Sequence, residues 1–217
     1  MPNWCTNEVT VTGDDDKVEE FRKYVEGDYY HGKCSDAFKW VWDEKMDKGE
    51  SVAIPDHCNH EDDFKETCDK RLNEFSFRSI IPMPSELEHT TSPVDVYETQ
   101  ADIDAYFEEL KSRDGYDESN GYYKSIIAKC MTREYSDYLK ATFGADNWYD
   151  WAYENWGTKW DVGDIWFEDA GGGFLKYEFD TAWSPPEPIC AFLRDKFPEI
   201  NISWFFREDG MEMAGYL

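Results

Sequence analysis

The stretch that decides the fold lies near the carboxy terminus and reads FLKYEFDTAW at 174–183, PPEPICAFLRDKF at 185–197 and INISWFF at 200–206. In the first segment apolar and polar residues alternate, which is typical of a half-buried strand. The two prolines that open the second segment favour a helix start, and its later apolar residues recur at helical spacing. The third segment alternates again. The run therefore predicts a strand, a helix and a strand.

The amino-terminal part repeats this arrangement. Residues 7–12 alternate as a strand, and residues 15–26 carry apolar side chains at helical spacing. Residues 75–81, FSFRSII, alternate as a second strand that prolines terminate, and residues 28–73 predict loops with short helices. The residues predicted to be buried between sheet and helices are Val9, Val18, Phe21, Val25, Tyr177, Phe179, Ile189, Phe192, Leu193 and Trp204.

Three further helices are predicted in the middle of the chain, at 98–112, 120–143 and 146–156. Short strands are expected at 165–168 and 211–217, with a glycine turn at 171–173. In chain order the elements predict an α+β fold. It is a ferredoxin-like split β-α-β antiparallel sheet with a large helical insertion between its second and third strands. The predicted domains are 1–84 with 157–217, which includes the irregular segment 28–73, and the mainly helical insertion 85–156.

The net charge restricts the partners that this protein can bind. The chain has 48 Asp and Glu against 22 Lys and Arg, a formal net charge of −26. The excess negative charge is spread along the chain and is not confined to an acidic tail. The net charges are −6, −7, −5 and −8 for residues 1–50, 51–100, 101–150 and 151–217. Such a surface repels nucleic acid and anionic membranes and attracts basic proteins. The sequence therefore predicts no direct nucleic-acid binding and no membrane association.

The aromatic content indicates a folded protein despite this charge. Phe, Trp and Tyr make up 18% of the chain, whereas disordered acidic chains are poor in aromatics. No stretch approaches the roughly 20 apolar residues of a membrane span, and the amino terminus does not resemble a signal peptide. A cytoplasmic location with reduced cysteines is therefore expected.

Four short motifs occur in order along the chain. They are MPNWCTN at 1–7, FRSIIPMP at 77–84, NWGTKWD at 155–161 and FDTAWSPP at 179–186. As a set they resemble the YubB ferredoxin-like family of bacteriophage and conjugative-plasmid proteins. The resemblance implies a ferredoxin-like fold, an origin in a mobile genetic element and accessory work, such as counter-defence, in a bacterial host cell. It implies no catalytic residues.

The third motif has two interpretations. Trp156, Lys159 and Trp160, together with Lys176, could hold an anionic nucleotide by stacking and charge. Alternatively, Gly157 is a left-handed helix cap and both indoles pack into the core. We call this second alternative the structural interpretation, and it is favoured because glycine commonly caps helices.

A group of soft ligands lies in the irregular segment. It comprises His31, Cys34, His57, Cys58, His60 and Cys68. The spacing matches no common zinc site, so a structural zinc ion is the alternative to a chain without cofactors. A Cys/His nucleophile is the further alternative, but no nucleophile–base pair stands out. The sequence therefore favours a non-catalytic protein.

Three functions are compatible with these features. The first is an inhibitor that binds a basic, nucleic-acid-binding host defence protein, as a mimic of nucleic acid. Its predicted contact residues are the acids Asp102, Asp104, Glu108, Glu109, Asp114, Asp117 and Glu118. The second is a protein that sequesters or hydrolyses an anionic nucleotide immune signal. The third is a zinc-stabilised accessory protein.

Overall fold

The chain forms two compact units. The computed structural model describes residues 3–31, 38–43, 48–53, 69–113, 115–117, 121–163 and 165–217, with backbone alone for those between 27 and 73. Met1–Pro82 and Ala152–Leu217 form one unit, here called the sheet unit, and Met83–Trp151 form the other, the insert unit. The sequence-based boundaries lay two residues later at the first junction and five residues later at the second.

A five-stranded antiparallel sheet is the main element of the sheet unit. Its strands are β1 (Trp4–Thr12), β8 (Ile165–Asp169), β9 (Phe174–Ala182), β10 (Asn201–Glu208) and β11 (Met213–Tyr216). They are arranged in the order β11-β10-β1-β9-β8. Two helices, α1 (Asp15–Val25) and α8 (Glu187–Lys196), follow β1 and β9 along the chain. The order β10-β1-β9-β8, with these two helices, is the ferredoxin-like arrangement, and β11 extends it.

The second strand of this sheet is β8, and residues 75–81 do not belong to the sheet. The insertion therefore lies between α1 and the second strand, not between the second and third strands as predicted. Phe75 ends strand β5 (Asp69–Phe75), and Phe77–Ile80 form the short helix α2. Phe75 and Phe77 are both buried, but Ser76 between them is buried as well, so burial does not alternate here as it would in a half-buried strand. Ser76 accepts a hydrogen bond from the Arg78 amide and begins a helix instead.

The segment 28–73, predicted to be loops and short helices, contains strands. Besides β5, these are β2 (Glu26–His31), β3 (Phe38–Asp43) and β4 (Lys48–Ala53). β2 pairs antiparallel with β5, and β3 pairs antiparallel with β4. In β2, β4 and β5 the alternation of apolar and polar residues is weak, which hid these strands from the sequence pattern. In β3, by contrast, Phe38, Trp40 and Trp42 occupy every second position, a strand signal that the prediction missed.

The core of the sheet unit lies between one sheet face and the helices. Phe75 contacts Tyr177 and Phe179, each with ring centroids 5.1 Å apart, and Phe21 meets Phe197 edge-on at 5.4 Å. Nine of the ten residues predicted to be buried are buried. Phe192 is the exception, because it lies at the margin of α8 and stacks on Tyr24 in contact with solvent.

The insert unit is mainly helical. Its elements are α3 (Ser85–Glu88), β6 (Asp95–Tyr97), α4 (Gln100–Lys111), α5 (Gly121–Lys129), β7 (Cys130–Thr132), α6 (Arg133–Phe143) and the start of α7 (Trp148–Trp156). The single helix predicted at 120–143 is interrupted, because β7 pairs in parallel with β6. Thr132 then begins α6 by accepting a hydrogen bond from the Tyr135 amide. Within the described residues, no helix has the length and apolar content that a bilayer crossing requires.

Candidate functional site

The four sequence motifs converge in the sheet unit. Asn7 of the first motif donates hydrogen bonds to Thr181 Oγ1 of the fourth at 2.9 Å and to the Cys5 carbonyl at 2.9 Å. Its side-chain oxygen accepts from Trp204 Nε1 at 3.1 Å. Because all these groups are buried, the network satisfies polar atoms that would otherwise be desolvated at a cost.

The second and third motifs meet in the same way. Trp156 is buried and donates from Nε1 to the Ile81 carbonyl at 2.8 Å. The Asp161 carboxylate accepts from Ser76 Oγ and from the Phe77 amide, both at 2.7 Å. Gly157 has a φ of 81° and ends α7, as the structural interpretation of this motif predicts. The motifs therefore act first as the internal framework of the unit.

Three tryptophan side chains in or next to these motifs are exposed. Trp4, Trp160 and Trp183 have exposed fractions of 49%, 42% and 40%. Trp4 and Trp160 lie with ring centroids 6.2 Å apart, and Lys159 Nζ is 3.7 Å from the Trp160 ring centre. Trp160 is therefore not a core residue, in contrast to the structural interpretation of its motif. Trp183 has a φ of 74°, an unfavourable conformation for a bulky side chain, and its amide donates to the Asn3 carbonyl at 2.9 Å.

The other face of the sheet carries a row of side chains that sequence reasoning did not single out. Cys5, Asn7, Val9 and Val11 are buried, so the alternate residues of β1 point to the opposite face. The strand registers place five residues of that face side by side, one from each strand. This cross-strand row consists of Trp166, Glu178, Glu8, Phe205 and Tyr216, in that order.

Lys176 lies against the centre of the cross-strand row. Its ammonium forms ion pairs with Glu178 and, at 3.2 Å, with Glu8, and lies 5.6 Å from the Trp166 ring centre. These hydrogen bonds, first to Glu178 and then to Glu8, raise the pKa of Lys176. The row thus has two carboxylates near its centre, with the Lys176 ammonium beside them, and aromatic rings at its ends.

The four residues predicted to bind a nucleotide do not form one pocket. Trp156 is buried, whereas Lys159 and Trp160 are at the surface beside Trp4. Ala182 of β9 pairs with Trp4, and Lys176 lies six residues from Ala182 on the same strand. Lys176 is therefore about 20 Å along the strand from the site of Trp4. The pair of Lys159 and Trp160 is the part of the predicted set that remains available to a ligand.

The predicted acidic contact residues lie on or after α4. Asp102, Asp104, Glu108 and Glu109 are exposed on the helix. Asp102 forms a capping box with Thr99, whereas Glu108 pairs with Lys111 at 2.8 Å and Glu109 with Arg113 at 3.0 Å. Asp117 follows the helix and is exposed, while Asp114 and Glu118 lie outside the described residues.

The three described thiols are poorly suited to nucleophilic chemistry. Burial raises the pKa of Cys5 to about 11 and also raises the pKa values of Cys130 and Cys190. No group of three or more potential metal ligands occurs in the described part of the chain. Of the predicted zinc ligands, His31 has a described backbone only, and Cys34, His57, Cys58, His60 and Cys68 lie outside the described residues.

One comparison with known proteins supports the fold class. Residues 155–217 match a family described as a ferredoxin-like domain in Api92-like protein. This segment contains β8 to β11 and α8, and two of the four motifs. Among solved structures, the crystal structure of a protein api92 from Yersinia pseudotuberculosis is similar, with 14% sequence identity and a TM-score of 0.43. That match covers 100% of this chain and 93% of the other. No curated protein matches the chain. The matched segment confirms the predicted ferredoxin-like class.

Proposed function

We propose that this chain is a non-catalytic accessory protein of a phage or plasmid, related to the YubB family, that acts in the bacterial cytoplasm. There it binds and inhibits a basic, nucleic-acid-binding host defence protein, whose groove it occupies in place of nucleic acid. Long-range attraction between a chain of charge −26 and a basic protein accelerates their encounter.

The observation that carries this proposal is the way α4 holds its acids. Glu108 and Glu109 are exposed, and each is paired with a cation three or four residues away in the same stretch of chain. Pairs of this kind stabilise a helix by only about 0.2–0.5 kcal/mol each. A Lys or Arg of a partner can therefore replace Lys111 or Arg113 at little cost. The carboxylates of α4 can therefore pair with the cations of a partner, as the phosphates of a nucleic acid do.

The capping box determines which acids can be tested. Asp102 accepts hydrogen bonds from the Thr99 amide at 2.9 Å and from Thr99 Oγ1 at 2.7 Å. Its replacement would remove the half of the capping box that the Asp102 carboxylate supplies, while Thr99 Oγ1 can still accept from the amide of residue 102. The informative variant is therefore Asp104→Lys with Glu108→Lys and Glu109→Lys, which leaves the cap intact.

The test is a competition assay with a basic host protein captured on this chain. The native protein should displace nucleic acid from that partner, and the displacement should weaken steeply as salt rises. The α4 triple variant should lose most of this effect. Its matched control is Glu86→Lys with Glu134→Lys and Asp137→Lys, which changes the net charge of the same unit equally at exposed positions. Displacement that is independent of salt, or lost equally in both variants, contradicts the proposed contact.

A second candidate function rests on Lys159 and Trp160. An ammonium beside exposed indoles is a minimal site for an anionic nucleotide, with Trp4 as the neighbouring ring. Sequestration of a nucleotide immune signal would then be the activity. A nucleoside monophosphate or a cyclic dinucleotide should quench tryptophan fluorescence in the native protein and not in Trp160→Ala. Identical titrations of the two proteins would refute this function.

A further inference from the structure

The open face of the five-stranded sheet has the chemistry of a docking surface for arginine. The cross-strand row spans all five strands, which is about 19 Å at the usual strand spacing. Trp166 at one end and Tyr216 at the other have exposed fractions of 50% and 74%. Glu8 and Glu178, at the centre, are also accessible to solvent.

The charges on this face select the occupant. Two carboxylates at the centre repel phosphate, which disfavours nucleic acid. A second copy of the chain is disfavoured because both copies carry −26. A guanidinium, by contrast, binds a carboxylate with two parallel hydrogen bonds and also stacks on aromatic rings. The row presents both kinds of group next to each other.

Lys176 already shows where a cation binds. Its ammonium contacts both central carboxylates and lies 5.6 Å from the Trp166 ring centre. It neutralises one of the two negative charges, so one remains for a partner. Phe205 and Tyr216, with ring centroids 5.3 Å apart, provide a second aromatic platform on the other side of Glu8.

We propose that the face formed by the cross-strand row binds an arginine-bearing segment of the basic partner protein. The guanidinium groups pair with Glu8 and Glu178 and stack on Trp166 and on Phe205 with Tyr216. This inference rests on the proposed function and gives the sheet unit its own contact, separate from the acids of α4.

The test uses two labelled peptides of equal length, oligoarginine and oligolysine, with the full chain. Oligoarginine should bind more tightly, because only guanidinium offers paired hydrogen bonds and stacking. Glu8→Gln with Glu178→Gln should weaken oligoarginine binding by about tenfold. The matched control is Glu19→Gln with Glu20→Gln on α1, which also removes two exposed carboxylates that pair with lysines and should have less than a twofold effect.

Two further variants separate this site from general attraction to a negative surface. Trp166→Ala should weaken oligoarginine binding and leave oligolysine binding nearly unchanged. Lys176→Gln should strengthen oligoarginine binding severalfold, because it frees both carboxylates. Thermal melts confirm that each variant folds.

The outcomes distinguish the inference from the proposed function. If the two double variants weaken binding equally, or if the peptides bind alike, the sheet face is not the site. The basic partner would then still be displaced from nucleic acid in the competition assay, and only this inference would fail. If the chain shows no salt-dependent binding to any basic partner, the proposed function fails as well.

Discussion

Trp204 Nε1 donates a hydrogen bond to Asn7 Oδ1 at 3.1 Å in the buried core of the sheet unit. The two residues lie on neighbouring strands, β10 and β1, and both side chains are inaccessible to solvent. The Asn7 amide group also bonds the Cys5 carbonyl and Thr181 Oγ1. One asparagine thus satisfies groups on three strands, which explains why a polar residue interrupts an apolar strand face.

Replacement of this asparagine should destabilise the protein. Asn7→Ala leaves Trp204 Nε1 and the neighbouring groups buried without their partner, which costs about 1–3 kcal/mol in the free energy of unfolding. Chemical denaturation followed by tryptophan fluorescence measures the loss. The control is Asn201→Ala on β10, an exposed asparagine that should cost less than about 0.5 kcal/mol. Equal losses in the two variants would show that the network contributes little.

The glycine turn before β9 offers a matched pair of substitutions. Gly172 and Gly173 have φ values of 62° and 71°, so an alanine is strained at either position. A Cβ at Gly172 meets nothing within 4 Å, whereas a Cβ at Gly173 would lie 1.9 Å from the Gly13 carbonyl oxygen. Gly172→Ala should cost about 1 kcal/mol and Gly173→Ala about 3 kcal/mol or more. Similar midpoints of thermal unfolding for the two variants would contradict the close approach of Gly173 to the Gly13 carbonyl.

The stability of the insert unit should depend on one buried aspartate. Burial alone would raise the pKa of Asp146, but hydrogen bonds from Lys140, Ser136 and Asn147 outweigh it and lower the pKa below the ordinary value of 3.8. A carboxyl whose pKa is lower in the folded state than in the unfolded state stabilises the fold at every pH above its unfolded-state pKa. This contribution is lost as the pH falls through the folded-state pKa.

The prediction for Asp146→Asn follows from that sign. The variant should be less stable than the native protein at pH 7, and the difference should shrink below about pH 4. Denaturant melts of both proteins at several pH values measure this difference. Protonation of the other acids changes the stability of both proteins alike, so that effect cancels in the difference. Asp137→Asn, at an exposed position of α6, should show a small difference at every pH. A difference for Asp146→Asn that grows on acidification would reverse the assignment.

The buried thiols should be unreactive in the native protein. With a pKa of about 11, Cys5 holds little thiolate at pH 8, and it is inaccessible to reagents. Iodoacetamide should therefore modify Cys5 and Cys190 only after unfolding, as peptide-resolved mass spectrometry can determine. Cys130, which is partly exposed, should react slowly. Rapid alkylation of Cys5 in the folded chain would indicate that the amino-terminal strand opens.

The resemblance of the four motifs to a known family and the match of residues 155–217 both indicate a ferredoxin-like class. The motifs themselves gave no function, because their side chains mostly bind one another: Asn7 with Thr181, and Trp156 with Ile81. What remained visible from sequence was the exposed acidic helix α4. Asp104, Glu108 and Glu109 lie on its polar side, as their spacing around the buried Ile103 and Leu110 predicts.

The sequence by itself determined the elements whose periodicity is local. Strands β1, β9 and β10 and helices α1 and α8 were predicted within a few residues, because alternation and helical spacing are properties of a short segment. The pairing of strands was decided only by the tertiary structure. Phe75 and Phe77 alternate like a strand, yet the Asp161 carboxylate, more than eighty residues away, binds the Phe77 amide and stabilises a helix start.

The cross-strand row is likewise a product of the tertiary structure. Its five residues lie between positions 8 and 216, and no local pattern relates them. Antiparallel register brings them side by side, because a strand pair fixes which residues face each other across the sheet. Local alternation therefore predicts which residues of one strand share a face, and long-range hydrogen bonding between strands decided which residues of different strands form one surface.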